Sequence, residues 1–136
     1  MPDLTFGVTT LPWGKAWWLP DERAIVLDTS LTRPERRQYL THELVHAEAG
    51  DQNCALWGRD GARLARRRER EVDAVVAERL LPLPRLADAL TWALGPDEVA
   101  AELDVTEHMV LVRVRGLSPL EKQTIEQIIE RTEGAA

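Results

Sequence analysis

The hydrophobic pattern changes character near residue 30. Before it, apolar residues form short alternating or continuous runs in "LTFGVTTL", "KAWWL" and "AIVLD", which is typical of β-strands. After it, apolar residues recur at helical spacing, first at Leu40, Leu44 and Ala47, which would place them on one buried stripe. The pattern predicts an α+β fold in which a small antiparallel sheet precedes a series of helices.

Capping signals locate the helices. Thr32 and Glu35 form a capping box with Pro34 in the first turn, which predicts a helix to about residue 49. Gly50 is suited to end it in a left-handed conformation. Further helices are predicted at 62–81, at 85–94, twice within 97–117, and at 118–132.

The segment "VAAELDVTEHMVLVRVRGL" resembles a helix-turn-helix with its turn near Leu103–Val105. Helix-turn-helix elements that read DNA present a recognition helix to phosphates. Between positions 97 and 116, however, there are five acidic and two basic residues. This charge favours a scaffold or a substrate-docking surface over a DNA-reading element.

Composition and net charge limit the function classes and the cellular compartment that the sequence suits. The chain has 136 residues and a net charge of −6, which argues against a general nucleic-acid binder. Cys54 is the single cysteine, so no internal disulfide can form, and a reducing compartment suits the chain. The first residues lack the features of a signal peptide, and the apolar runs are too short to span a bilayer. We therefore predict a cytoplasmic protein with no membrane contact.

The stretch "LTHELVHAEAG" contains the candidate metal-binding and catalytic residues. His42 and His46 are four apart, so on a helix they share a face and can reach one metal ion. Glu43 lies about 100° round the helix, near the metal but off that face. This is the H-E-x-x-H arrangement of zinc proteases, in which the glutamate is the general base. The motif predicts a zinc site, with manganese as an alternative, and Glu43 as the catalytic base.

A catalytic zinc usually has three protein ligands, and the third is expected on the next long helix. Its acidic residues are Glu69, Glu71, Asp73 and Glu78. From the apolar stripe of that helix, Glu71 is expected to face inward more than Glu69, with Glu78 as the geometric competitor. Asp73 is a candidate for orienting a ligand histidine through its other ring nitrogen.

The pairing of "HELVHAEAGD" with "EREVDAVVAERLLP" resembles the ImmA/IrrE family of metallopeptidases, over about residues 5–115. The resemblance implies a zincin-like fold and makes Glu71 the third metal ligand. It also implies a substrate class, because members cut helix-turn-helix repressors and so release phage, mobile-element or stress-response genes. The sequence departs from the family pattern at Val75, where an aromatic is common, and in "RLLP".

The sequence thus predicts a zinc-dependent endopeptidase with a zincin-like metallopeptidase core at 1–95. A helical C-terminal element at 96–136 would pack on that core. Trp17 and Trp18 are adjacent in a predicted strand, so one is expected in the core and the other beside a substrate groove at the sheet edge. Two other classes remain: a non-catalytic binding module or toxin–antitoxin or immunity partner of a repressor, and a DNA-binding regulator.

Overall fold

The computed structural model describes residues 3–50 and 59–135. The strands and helices within these ranges are β1 (Thr5–Thr9), β2 (Ala16–Leu19), β3 (Ala24–Asp28), α1 (Arg33–Ala49), α2 (Arg59–Leu80), α3 (Leu83–Leu90), α4 (Pro96–Leu103), α5 (Glu107–Arg115) and α6 (Pro119–Ala135). The predicted α+β class is confirmed. Cys54 lies outside the described residues. In the ranges described, no helix has both the length and the apolar character needed to cross a membrane.

The sheet is mixed, with strand order β1-β3-β2. β2 and β3 form the predicted antiparallel hairpin, in which Ala16 pairs with Leu27 and Leu19 with Ala24. β1 runs parallel to β3, with Thr5 opposite Ala24. The prediction of an antiparallel sheet is therefore wrong for β1, because β3 inserts between the two strands that precede it in the chain.

The loop between β1 and β2 explains this order. It passes the end of β3, where the Leu11 amide donates to Asp28 Oδ1 over 2.8 Å and the Asp28 amide donates to the Lys15 carbonyl over 2.9 Å. The other carboxylate oxygen of Asp28 accepts from the amide and the hydroxyl of Ser30. Asp28 thus fixes both the loop that crosses the strand end and the turn that leads to α1.

The first compact unit covers residues 1–76. One face of its sheet packs against α1, and the core there consists of Trp18, Ile25, Leu27, Leu31 and Ala47. Leu40 and Leu44 pack against this core from α1, as the helical stripe predicts. The packing fixes the rotation of α1 about its axis and hence the direction in which its polar residues point.

Both ends of α1 are capped as predicted. The Glu35 amide donates to Thr32 Oγ1 over 3.4 Å, and the Thr32 amide donates to Glu35 Oε1 over 3.0 Å. At the other end Gly50 is left-handed, with φ 72°, and its amide donates to the Ala47 carbonyl over 3.2 Å. These caps satisfy backbone groups that a helix end leaves unpaired.

The second compact unit covers residues 77–136. Its core includes Leu86, Val99, Met109 and Ile125, contributed by α3, α4, α5 and α6 in turn. The domain boundary predicted between residues 95 and 96 falls inside this unit, where α3 contacts α4. The helix predicted at 85–94 ends instead at Leu90, and Pro96 opens α4 after a short connection.

One charged side chain is buried in the second unit. Arg113 is 5% exposed, and its Nε donates to the Leu81 carbonyl over 2.9 Å. Its Nη2 donates to Glu121 over 3.3 Å. The guanidinium therefore joins α5 to the start of α6 and to the residue that follows α2.

Candidate metal centre

His42 and His46 lie on the same face of α1. Their ring centroids are 4.8 Å apart and the rings are inclined by 65°. His46 is 4% exposed, and the side chain of His42 is 17% exposed. In the structure the two imidazoles therefore lie on one face of α1, as the i, i+4 spacing predicts.

Glu69 on α2 brings a carboxylate to both rings. Its Oε2 lies 2.7 Å from His42 Nε2, and its Oε1 lies 2.7 Å from His46 Nε2. Each residue of this trio offers one ligand atom, and these atoms lie within 4.8 Å of one another. The trio could therefore hold one metal ion between α1 and α2.

Glu71, expected as the third ligand, is not in this group. Its side chain is 54% exposed and contacts Arg67 Nε at 3.7 Å and Arg68 Nη1 at 3.5 Å. Two residues along a helix correspond to a rotation of about 200°, so Glu71 points away from the face that Glu69 presents. The expectation that Glu71 joins the two histidines is therefore not met in the structure, where Glu69 takes that place, although the apolar stripe favoured Glu71.

Asp73 lies on the other side of the His42 ring from Glu69. Its Oδ1 is 3.4 Å from His42 Nδ1, the nitrogen that does not face Glu69. A carboxylate on the second ring nitrogen fixes the orientation and tautomer of a metal-binding histidine. Asp73 thus lies beside the ring and outside the trio, and its role in orienting His42 stays a prediction.

The carboxylates dominate the electrostatics of His42. Burial by itself would lower the pKa of this imidazole, but hydrogen bonds to Asp73 and Glu69 outweigh burial and raise the pKa to about 10. The same carboxylates would also attract a cation bound between the two helices.

Glu43 is half-buried beside the trio but does not belong to it. Burial raises the pKa of its carboxyl group; His42 and His46 oppose this, and Glu69 reinforces it. Glu43 is therefore close enough to interact electrostatically with all three members of the trio, while it remains off the face that His42 and His46 share.

The two tryptophans proposed for a substrate groove take different positions. Trp18 is 5% exposed within the core, so it is the core member of the pair and does not line a groove. Trp17 points to the other face of the sheet, where its ring lies 5.4 Å from that of Trp13. Strand alternation explains the difference, since Trp18 pairs with buried Ile25 and Trp17 with Val26. Of the two tryptophans, only Trp18 contributes to the core of the first unit.

The residues present fit a metal ion. Two imidazoles and one carboxylate are the protein ligands of a common class of catalytic zinc sites, which keep a further coordination position open. The trio is partly accessible, because the Glu69 side chain is 35% exposed. Two nearby carboxylates, Glu43 and Asp73, add negative charge that favours a divalent cation.

Comparison with protein-family models gave the decisive observation. The model Peptidase_M78, described as an IrrE N-terminal-like domain, matches residues 13–115, which is more than half of the chain. The chain belongs to this peptidase family. The resemblance stated from the sequence is thereby confirmed. A search of curated proteins gave no match.

For this member of the M78 peptidase family, the matched range contains all of α1, the trio and Asp73. It also contains α4 and α5, so the helix-turn-helix-like segment belongs to the family domain. Sequence reasoning missed Glu69, although its i, i+4 spacing from Asp73 would have placed both carboxylates on one helix face.

Proposed function

We propose that the protein is a zinc-dependent endopeptidase, with His42, His46 and Glu69 holding the metal. The single observation that supports this best is the convergence of three ligand atoms from two helices beside Glu43, in a chain of a peptidase family. When bound, a divalent ion there supplies Lewis-acid chemistry, acidifying water and polarising the peptide carbonyl. Zinc suits the donor set, and manganese is the alternative.

The other residues have distinct roles. Glu43 accepts a proton from the attacking water and returns it to the leaving amine, as a general base and then a general acid. Its position next to His42 but off the shared face lets it do this without occupying a ligand position. Asp73 holds the His42 ring so that Nε2 faces Glu69.

The proposed substrate is a helix-turn-helix repressor, whose cleavage releases phage, mobile-element or stress-response genes. Support for this comes from the family resemblance of the two site helices. A cytoplasmic setting, in which such a repressor would be met, rests on the single cysteine of the sequence. An extended substrate segment could pair with β2, an edge strand that contacts α1.

The test is the substitution Glu43→Gln, which keeps size and most hydrogen bonding but removes basicity. The variant should fold, bind zinc like the parent, and cleave the repressor encoded nearest its gene roughly 10²–10⁴-fold more slowly. Cleavage is followed by gel and mass spectrometry, and zinc by elemental analysis. Glu71→Gln is the matched control, since Glu71 is exposed and outside the trio, and it should cleave at the parental rate.

Equal cleavage by the parent and Glu43→Gln would overturn the role of Glu43. If neither cuts the repressor but both bind it equally, a non-catalytic binding module replaces the enzyme. If the parent holds no zinc or manganese after dialysis against either ion, the metal centre itself is refuted.

A further inference from the structure

The second compact unit has an apolar groove formed by residues between positions 90 and 114. None of the trio His42, His46 and Glu69 lines it. It has a volume of about 240 Å³ and is lined by α3, α4, α5 and the α3–α4 connection. Its walls include Leu94, Val99, Val110, Leu111 and Val114. The volume is below the roughly 300–1,000 Å³ of small-molecule sites, so the groove suits a few side chains of a larger partner.

The apolar surface continues outside the groove. Leu94 is 94% exposed, Leu111 is 39% exposed and Val114 is 37% exposed. Leu111 and Val114 lie one turn apart on α5, so they form a strip along the helix rather than scattered positions. Contiguous exposed apolar surface with a polar border is typical of a protein interaction site.

The border on the α4 side is acidic. The Glu98 carboxylate accepts from the Leu94 amide over 3.4 Å, and Asp97 Oδ1 lies 2.9 Å from the point where a Cβ on Gly95 would stand. Both carboxylates therefore adjoin residues of the groove wall. Glu107 begins α5 one turn before Leu111. Arg115 is exposed at the far end of α5, so the acidic character is concentrated where α4 and α5 begin.

We propose that this groove docks an amphipathic helix of a protein partner that carries lysine or arginine beside its apolar face. The apolar strip would receive leucine-like side chains at i, i+3 and i+4 spacing. The carboxylates of Asp97, Glu98 and Glu107 would attract the flanking cations and exclude an acidic helix of the same shape. Docking is independent of peptide cleavage, so this inference and the proposed function can fail separately.

The probes are two synthetic peptides of about 18 residues, or five helical turns, with identical leucine positions. One carries lysine at the flanking positions and the other carries glutamate. Binding to the full chain is measured by fluorescence anisotropy and located by amide chemical-shift changes. The lysine peptide should bind, with shifts confined to residues 90–114. The glutamate peptide should bind at least about tenfold more weakly.

Two matched substitutions test the location. Leu111→Ser removes an apolar group from the strip and should weaken the lysine peptide by about tenfold. Leu120→Ser removes an equally apolar side chain, 72% exposed on α6 and outside the groove, and should leave binding unchanged. The double substitution Asp97→Asn, Glu98→Gln should reduce the preference for lysine over glutamate. Thermal melts confirm that each variant is folded.

Equal affinity for the two peptides, or equal effects of Leu111→Ser and Leu120→Ser, would overturn the proposal. It is also overturned if sedimentation shows the parent dimerising and Leu111→Ser monomeric, because a second copy of the chain would then be the occupant.

Discussion

Glu69 and Asp73 lie one helical turn apart on α2 and contact the imidazole of His42 at its two different ring nitrogens. Glu69 Oε2 lies 2.7 Å from His42 Nε2, and Asp73 Oδ1 lies 3.4 Å from His42 Nδ1. A single face of α2 thus provides both the carboxylate that completes the trio and the one that orients a member of it. Glu71, between them in sequence, is excluded from this face by helix geometry.

The first prediction separates Glu69 from Glu71. Glu69→Ala should lower metal affinity by more than about 100-fold, the upper range for removing a residue that only supports a ligand. Glu71→Ala should bind about one metal ion per chain, like the parent. Competition with a chromogenic chelator measures both affinities. Parental affinity in Glu69→Ala together with loss in Glu71→Ala would restore the assignment made from the sequence.

Asp73 should matter to the metal without being a ligand. Asp73→Ala leaves the three donor atoms in place but removes the partner of His42 Nδ1, so metal affinity should fall by about 10- to 100-fold. Isothermal titration with zinc measures the change, and far-ultraviolet circular dichroism checks the helices. No change in affinity would show that the contact at 3.4 Å does not orient the ring.

Asp28 should make the first unit sensitive to acid. The Ser30 hydroxyl and the amides of Leu11 and Ser30 donate to its carboxylate and lower its pKa from 3.8 to about 2. Since the folded pKa lies below the unfolded one, the stabilisation is complete above about pH 4 and is lost as the pH falls through 2.

The measurement is urea unfolding of the parent and of Asp28→Asn, both with chelator so that metal release does not contribute. The parent should be the more stable protein at pH 5, and its advantage should shrink steadily between pH 4 and pH 2. An advantage that does not vary over this range would contradict the role assigned to the charge of Asp28.

The helix-turn-helix-like segment should not bind DNA. Asp104, in the turn between α4 and α5, is left-handed with φ 56°, but Glu107 opens the helix that would enter the major groove of DNA. In a mobility shift at physiological salt, no duplex should bind more tightly than the roughly 10⁻⁴–10⁻⁶ M of non-specific contacts. Specific nanomolar binding would favour a DNA-binding regulator instead.

The sequence predicted most elements because each has a local signal. The capping box at Thr32 and Glu35 and the left-handed Gly50 define α1 without reference to the rest of the chain. The direction of β1 has no local signal. Alternation shows which residues share a face of a strand, but it does not show which strand lies beside it.

Glu69 was not selected from the sequence for a different reason. Glu69, Val72, Asp73 and Val76 follow the i, i+3, i+4, i+7 spacing of one helix face, and both valines are fully buried. Requiring Asp73 and the ligand to share a face would have selected Glu69. The family pattern instead favoured Glu71, two residues away, because the stretch "ERE" offers two glutamates to one position of the pattern.

The insertion of β3 between β1 and β2 also sets an order of assembly. Leu19 and Thr5 both pair with Ala24, but Leu19 does so across a short turn, whereas Thr5 does so across the longer segment that includes β2. We therefore expect β1 to join the sheet last, since closing the longer loop costs more entropy. In a refolding experiment with pulsed deuterium labelling, the β1 amides should gain protection after those shared by β2 and β3.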